Sequence, residues 1–333
     1  MALIYYVTQV QFEFGAIKLL KQECERVGIT RPLIVTDQGV KAAGILQKAL
    51  DALPGLPVAV FDQTPSNPTE AAVRGAVEVF KANRCDGLIA VPTTSGTGSE
   101  VARGAILIVD DHRKLGFHSW NLVPKTAICD PELTLGLPPK LTAATGMDAI
   151  AHCVETFMAP AFNPPADGIA LDGLARAWAH IARATEDGSD REARMNLMSA
   201  SMQGAMAFQK GLGCVHSLSH SLGGVDPRLH HGTLNAMFLP AVIQFNAQAD
   251  SIQKEHRLQR MAHAMGLGSA SDIGEAIQDM NARLDLPTGL GAMGVTASQF
   301  EQVIAGAMVD HCHKTNPRIA TAEDYRDMLT QAL

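Results

Sequence analysis

The chain has 333 residues, 47% of them apolar and 18% charged, which is long enough for two domains and globular rather than disordered in composition. Its formal net charge of −7 supplies no basic face for a phosphate backbone, so no nucleic-acid partner is expected. Six scattered cysteines without a C-x-x-C pair, no positively charged leader in MALIYYVTQVQFEFG and no apolar run of spanning length predict a reduced, cytoplasmic protein with no membrane contact.

The first elements alternate. The β-branched run PLIVTD (32–37) reads as a strand, and VAVF (58–61) and GLIAV (87–91) as two more. Between them VKAAGILQKALDAL (40–53) and TEAAVRGAVEVFKA (69–82) carry apolar residues at helical spacing. Strand, helix, strand, helix, strand predicts a parallel sheet with right-handed crossovers, an α/β domain over residues 1–138. Such sheets bind ligands at the carboxyl ends of their strands. Asp37 stands at one such end, where a carboxylate suits a ribose diol and repels a 2′-phosphate, although the residue by itself reads first as a helix N-cap or turn aspartate. LPPKL (137–141) marks a boundary. Residues 139–333 are rich in Ala, Met, Leu and Gln at helical spacing, which predicts an all-helical second domain. The methionines read as core fill.

Within that helical part, TGMDAIAHCVETF (145–157) sets Asp148 and His152 four apart, on one face of a helix. VHSLSHSLGGVDPRLHHG (215–232) holds four of the twelve histidines: His216 and His220 four apart, then His230 and His231. Either pair alone also fits an ordinary surface contact. Two such pairs on apolar helices need a partner, because unpaired polar groups are costly in apolar surroundings. One aspartate with three histidines gives the mixed oxygen and nitrogen set that Fe(II), Zn(II) or Co(II) accepts. An ion with a position left open for substrate is a Lewis acid. His230 and His231 cannot easily both face one ion, and the glycine after them allows close backbone approach. H-E-x-x-H protease chemistry is disfavoured, because Ser217 stands where the general-base glutamate belongs.

GMDAIAH, GCVHSLSHSLGG and HHGTLNA, with VPTTSGTGSEV (91–101), CDPELTLGLPP (129–139) and VDHCHKTNPR (309–318), resemble the motifs of the iron-dependent (group III) alcohol dehydrogenases. The resemblance runs through nearly the whole chain and is nearest to the 4-hydroxybutyrate dehydrogenase-like branch. It implies a Rossmann-like domain that binds NAD, a helical metal-binding domain, and hydride transfer between NAD(H) and a primary alcohol or aldehyde, with 4-hydroxybutyrate and succinic semialdehyde as the candidate pair. It implies Asp148, His152, His216 and His231 as metal ligands, for Fe(II) first and Zn(II) second. His220 resembles the histidine beside nicotinamide and substrate, a candidate proton relay, which leaves His230 a neighbour. Asp37 resembles the ribose reader that favours NAD, and Asn67, Thr93, Thr94 and Lys114 resemble cofactor contacts. Cys312 and its neighbours resemble a segment lining the substrate site. A homodimer or larger homo-oligomer is the implied assembly.

The chain departs from the family in one place above all. Members follow the strand with a GGGS-x-x-D turn and a helix whose N-terminus cradles the pyrophosphate. Here GLIAV runs straight into PTTSGTGSEV, as though two strand ends were fused and a turn, a helix and a strand were missing. A parallel crossover needs at least ~10–12 residues, and none fits the junction. A second reading therefore stays open, a metal-binding remnant with an impaired dinucleotide site. A metal hydrolase is a distant third, since nothing marks a hydrolytic base or oxyanion hole. Ser221 replaces the proline that the family places after the equivalent of His220, which would straighten the helix there or leave it nearly unchanged. A hydroxy-acid substrate needs a cation for its carboxylate. Lys210, Lys314 and Arg318 are candidates, though each taken singly reads first as solvated surface charge.

Overall fold

The computed structural model describes residues 6, 8–109 and 113–333. The described residues divide into two compact units, an α/β unit of residues 6–93 with 99–136, and a helical unit of residues 94–98 with 137–333.

In the α/β unit the order is β1 (Gln9–Phe12), α1 (Leu20–Val27), β2 (Leu33–Val35), α2 (Gln38–Ala42), α3 (Ile45–Asp51), β3 (Ala59–Phe61), α4 (Glu70–Ala82), β4 (Gly104–Ile108), β5 (Lys114–His118) and β6 (Thr126–Cys129). β2 pairs with β3 and β1 with β6, both in parallel, while β4 and β5 form an antiparallel pair. β6 is buried along its whole length, as a parallel strand covered on both faces must be. Leu33, Ala59 and Phe61 turn to α4 and pack on Ala76, Val79 and Phe80. Ile34 turns the other way, toward the core built around Ile17, Leu20 and Leu53.

Two expectations change. The helix expected over 40–53 is two helices, broken at Gly44, whose φ of 76° is left-handed. Glycine takes that conformation without strain, and apolar periodicity carries no sign of it. The strand expected over 87–91 is two isolated parallel bridges, Gly87 to Pro32 and Ala90 to Ala127. The segment thus touches the β2–β3 pair at one end and the β1–β6 pair at the other. Each side is met by a single bridge, so no continuous ladder forms.

The helical unit contains α5 (Pro139–Met158), α6 (Pro164–Glu186), α7 (Arg191–Ala207), α8 (Cys214–Val225), α9 (His231–Asn246), α10 (Asp250–Lys254), α11 (Arg257–Ala264), α12 (Ile273–Arg283), α13 (Phe300–Val309) and α14 (Ala322–Ala332). Proline at the first turn of α5 costs no hydrogen bond, which is why LPPKL can open a helix. From Thr142 to Met158 every residue of α5 is buried. A helix apolar on all sides belongs at the centre, and α5 packs on α6, α7 and α9. α8 packs on α9 and α13. Among the described residues no helix is long and apolar enough to cross a membrane.

Candidate metal centre

Asp148 and His152 lie one turn apart on α5, His216 and His220 one turn apart on α8, and His231 opens α9. The two i,i+4 pairs and the third histidine meet. The Nε2 atoms of His152, His216 and His231 lie 3.8, 3.7 and 3.6 Å from the same atom, Asp148 Oδ1. Donors bound at ~2.0–2.1 Å around a tetrahedral ion are ~3.4 Å apart, so these separations are close to the edges of one coordination site. α9 can bring His231 this near only because residue 232 is glycine: a Cβ there would lie 2.1 Å from the Ala144 carbonyl oxygen of α5.

Glu155 was not among the sequence candidates, yet it builds the centre. It is fully buried on α5, one turn beyond His152. It accepts from His216 Nδ1 at 2.6 Å and from the first amides of α8, Val215 N at 2.7 Å and His216 N at 3.2 Å. One carboxylate therefore caps α8 and fixes the His216 tautomer, so that Nε2 faces Asp148. Its signal in the sequence is an acid seven residues after Asp148, on the same face of an apolar helix. Asn235, one turn into α9, also serves the centre. Its Nδ2 donates to Asp148 Oδ1 at 2.7 Å and stands 3.3 Å from His216 Nε2 and 3.2 Å from His231 Nε2. Three ligand-type atoms thus converge on one electropositive group.

Burial disfavours the Asp148 carboxylate, but the imidazoles around it win and hold its pKa well below the usual carboxylate range. Burial pushes His152 down to about 4, so it is a neutral base at neutral pH. Burial would also lower His216, but its bonds to Asp148 and Glu155 outweigh that and raise it to about 9. An ionised carboxylate among imidazoles, buried and backed by Glu155 and Asn235, is the donor chemistry of a divalent-ion site. The residues fit the metal that the sequence implies.

His220 faces differently. Its Nδ1 lies 3.0 Å from Asp310 Oδ2, and its ring stacks beside His231 at 5.3 Å. Burial would raise the Asp310 pKa, but the bond to His220 and the charges of His220 and His311 hold it well below the usual range. Asp310 too escaped the sequence reading, because its partner lies on another helix. His230 is exposed and merely precedes α9.

In the α/β unit Asp37 is the N-cap of α2, accepting from Val40 N at 2.9 Å. Lys114 Nζ donates to Asn67 Oδ1 at 3.0 Å, so two of the residues expected at the cofactor stand together. Thr93 in the α/β unit and Thr94 in the helical unit lie in an irregular bend. Lys210 is not solvated surface charge. It is buried and ion-paired with Asp167, which Arg257 also approaches at 3.2 Å. Arg318 lies 4.1 Å over the Phe245 ring and pairs with Asp324 at 3.3 Å, while Lys314 is exposed.

Residues 142–333 match the profile of the Fe-containing alcohol dehydrogenase family, C-terminal, and residues 7–91 and 87–131 match that of the iron-containing alcohol dehydrogenases. The two N-terminal matches overlap at 87–91, so these five residues answer to two places in the family pattern. The chain is 60% identical to a 4-hydroxybutyrate dehydrogenase of Cupriavidus necator over 382 aligned positions that cover 100% of both chains. Against the 333 residues here, that alignment leaves 49 positions (382 − 333) with no counterpart. An NAD-dependent methanol dehydrogenase of Bacillus methanolicus is 30% identical over 96% of each chain. Among solved structures, a 1,3-propanediol oxidoreductase superposes with a TM-score of 0.92 at 29% identity, covering 100% of both chains.

Proposed function

We propose a substrate and a division of labour from one premise: this chain belongs to the iron-containing alcohol dehydrogenase family. It is an NAD-dependent, metal-dependent alcohol dehydrogenase, and the reading as an impaired remnant is not favoured. The substrate pair we assign is 4-hydroxybutyrate and succinic semialdehyde. The 60% identity to a protein named for that alcohol supports the assignment.

The observation that carries the mechanism is three imidazole nitrogens around one oxygen of Asp148, with His220 beside them on a carboxylate of its own. Asp148, His152, His216 and His231 hold the ion, ferrous iron first and zinc second. That ion supplies Lewis acidity toward the alcohol oxygen, and NAD supplies the acceptor for the hydride. Glu155 holds the Nδ1 proton of His216, so that the Nε2 proton is the one an incoming ion would displace. His220 accepts the alcohol proton at Nε2 while its Nδ1–H stays on Asp310. The ionised Asp310 stabilises the imidazolium as it forms, and burial of both groups strengthens that interaction.

Asp37 reads the ribose, and its charge disfavours a 2′-phosphate. Asn67, Lys114, Thr93 and Thr94 contact the cofactor. We place the dinucleotide domain at residues 1–138 and the metal domain at 139–333, in a cytoplasmic homodimer or larger assembly. With Lys210 and Arg318 already paired, Lys314 is the cation assigned to the substrate carboxylate.

The test is NADH formation by the Fe(II)-loaded protein with 4-hydroxybutyrate and with 1,3-propanediol. A kcat/KM about tenfold or more higher for the hydroxy acid, or some 1.4 kcal/mol of transition-state binding, is expected. Equal values overturn the substrate assignment.

A further inference from the structure

A second cluster of ligand-type side chains lies in the helical unit beside the first. It consists of His220 on α8 with Asp310, His311 and Cys312, which directly follow α13. One ligand atom from each lies within 4.8 Å of all the others. His220 Nδ1 is 3.0 Å from Asp310 Oδ2, and Cys312 Sγ is 3.3 Å from His311 Nε2. In a tetrahedral zinc site, bonds of ~2.0–2.1 Å to nitrogen or oxygen and ~2.3 Å to sulfur set edges of ~3.4 Å without sulfur and ~3.6 Å with it. Both separations need only small adjustments to meet those edges.

The backbone already holds the cluster together. Asp310 Oδ1 accepts from Cys312 N at 2.8 Å, and Thr315 Oγ1 ties the same turn to the Leu212 carbonyl at 2.7 Å. His220 and Cys312 are buried, whereas His311 is exposed, which gives an ion a route in from solvent. The composition differs from the Asp148 set in one decisive way: it contains a sulfur. Thiolate and imidazole favour zinc over ferrous iron.

We propose that His220, Asp310, His311 and Cys312 form a second metal site of the zinc class, and that filling it switches the dehydrogenase off. As the ion binds, Cys312 gives its thiol proton to solvent and His220 frees Nδ1 by moving its proton to Nε2, and the ion's charge stabilises the buried thiolate. No electron is exchanged. The switch follows because His220 is shared. Its ring lies 5.3 Å from that of His231 on one side and 5.6 Å from that of His311 on the other. A histidine that ligates an ion and has lost its carboxylate partner to the same ion no longer relays a proton. That last step rests on the role given to His220 above; the site itself does not.

Cobalt(II) titration of the metal-free full-length protein tests the site without reference to turnover. Two equivalents are expected to bind, one of them with a thiolate-to-cobalt charge-transfer band. Cys312→Ser, checked for folding by circular dichroism, is expected to lose the band and one equivalent, and Asp148→Asn to keep the band. One equivalent without the band in folded wild-type protein overturns the site, as does a band that survives in Cys312→Ser. Zinc added to the Fe(II)-loaded enzyme is then expected to abolish NADH formation, with Cys312→Ser needing at least tenfold more zinc for the same fractional loss. A site that fills with zinc while turnover continues overturns the switch and the relay role of His220, but leaves the site standing.

Discussion

His216 and His220 stand one turn apart on α8 and are held by different carboxylates, Glu155 and Asp310. In the proposed division of labour, that difference separates an ion ligand from a proton carrier. His220→Ala is expected to keep its metal and lose about 10²-fold or more in kcat, whereas His216→Ala loses the metal itself. Metal analysis beside steady-state rates separates the two, and equal metal loss would make His220 a ligand. Helical period alone brings Asp148 to His152 and His216 to His220, whereas the choice of His231 over His220 came from the family resemblance. Glu155 and Asp310 were not legible in the sequence, since each meets its partner across two helices. Glu100 makes a prediction of another kind. It is buried, with Cys129 Sγ 4.0 Å from its Oε1, and burial raises its carboxyl to about 7. In the unfolded chain the same group titrates near about 4.3. The folded state therefore holds its proton longer, and the stability this contributes is complete below about pH 4 and lost as pH rises to about 7. Glu100→Gln should be more stable than wild type by ~3 kcal/mol at about pH 8 and nearly equal to it at about pH 4, as read by denaturant titration.

At the scale of elements, the serine that replaces the family's proline has a structural role. α8 runs unbroken from Cys214 to Val225, and Ser221 Oγ donates to the Val303 carbonyl of α13 at 2.7 Å. Gly306 of α13 faces it, and a Cβ there would lie 2.2 Å from that hydroxyl. Since α13 leads directly to Asp310, this contact sets the spacing between the helix that carries His220 and the segment that orients it. Ser221→Ala is expected to cost about 1 kcal/mol in denaturant titration while the bound metal content stays the same. Helix α4 was readable to its cap, Thr69, because a polar N-cap and an amphipathic stripe agree there. The single helix expected over 40–53 was not, because one glycine with positive φ outweighs an apolar stripe that continues across it. Parallel strands were expected and found, but the length of 87–91 was misjudged. Composition reports that a segment suits a sheet, and says nothing of how many neighbours it must reach.

For the whole molecule, the family pattern is complete in the helical unit and shortened in the α/β unit. The double match at 87–91 and the 49 unmatched positions (382 − 333) fall in with the absent GGGS-x-x-D turn. A helix N-terminus that would donate amides to the pyrophosphate is therefore missing from the sequence after Val91. Grafting the corresponding segment of the Cupriavidus necator relative after Val91 is expected to lower the KM for NAD about tenfold or more, with the substrate KM little changed. An unchanged KM for NAD would mean that the remaining residues already supply those contacts. Ancestry was legible because many motifs repeat the same message in order, whereas the fate of a lost segment is decided by what fills its place.

That place is filled by two backbone bridges, Pro32 to Gly87 and Ala90 to Ala127. Among the described residues they are the only strand pairing that joins β2 and β3 to β1 and β6. A sheet with full ladders opens as one cooperative piece; this one carries a line of perforation. The backbone amides of that joint are expected to exchange before those of the β2–β3 and β1–β6 ladders, while the core around Ile17, Leu20 and Ile128 holds the two pairs together beneath it. Asp37, proposed above as the ribose reader, caps α2 just after β2, so bound NAD is expected to steady that side of the joint.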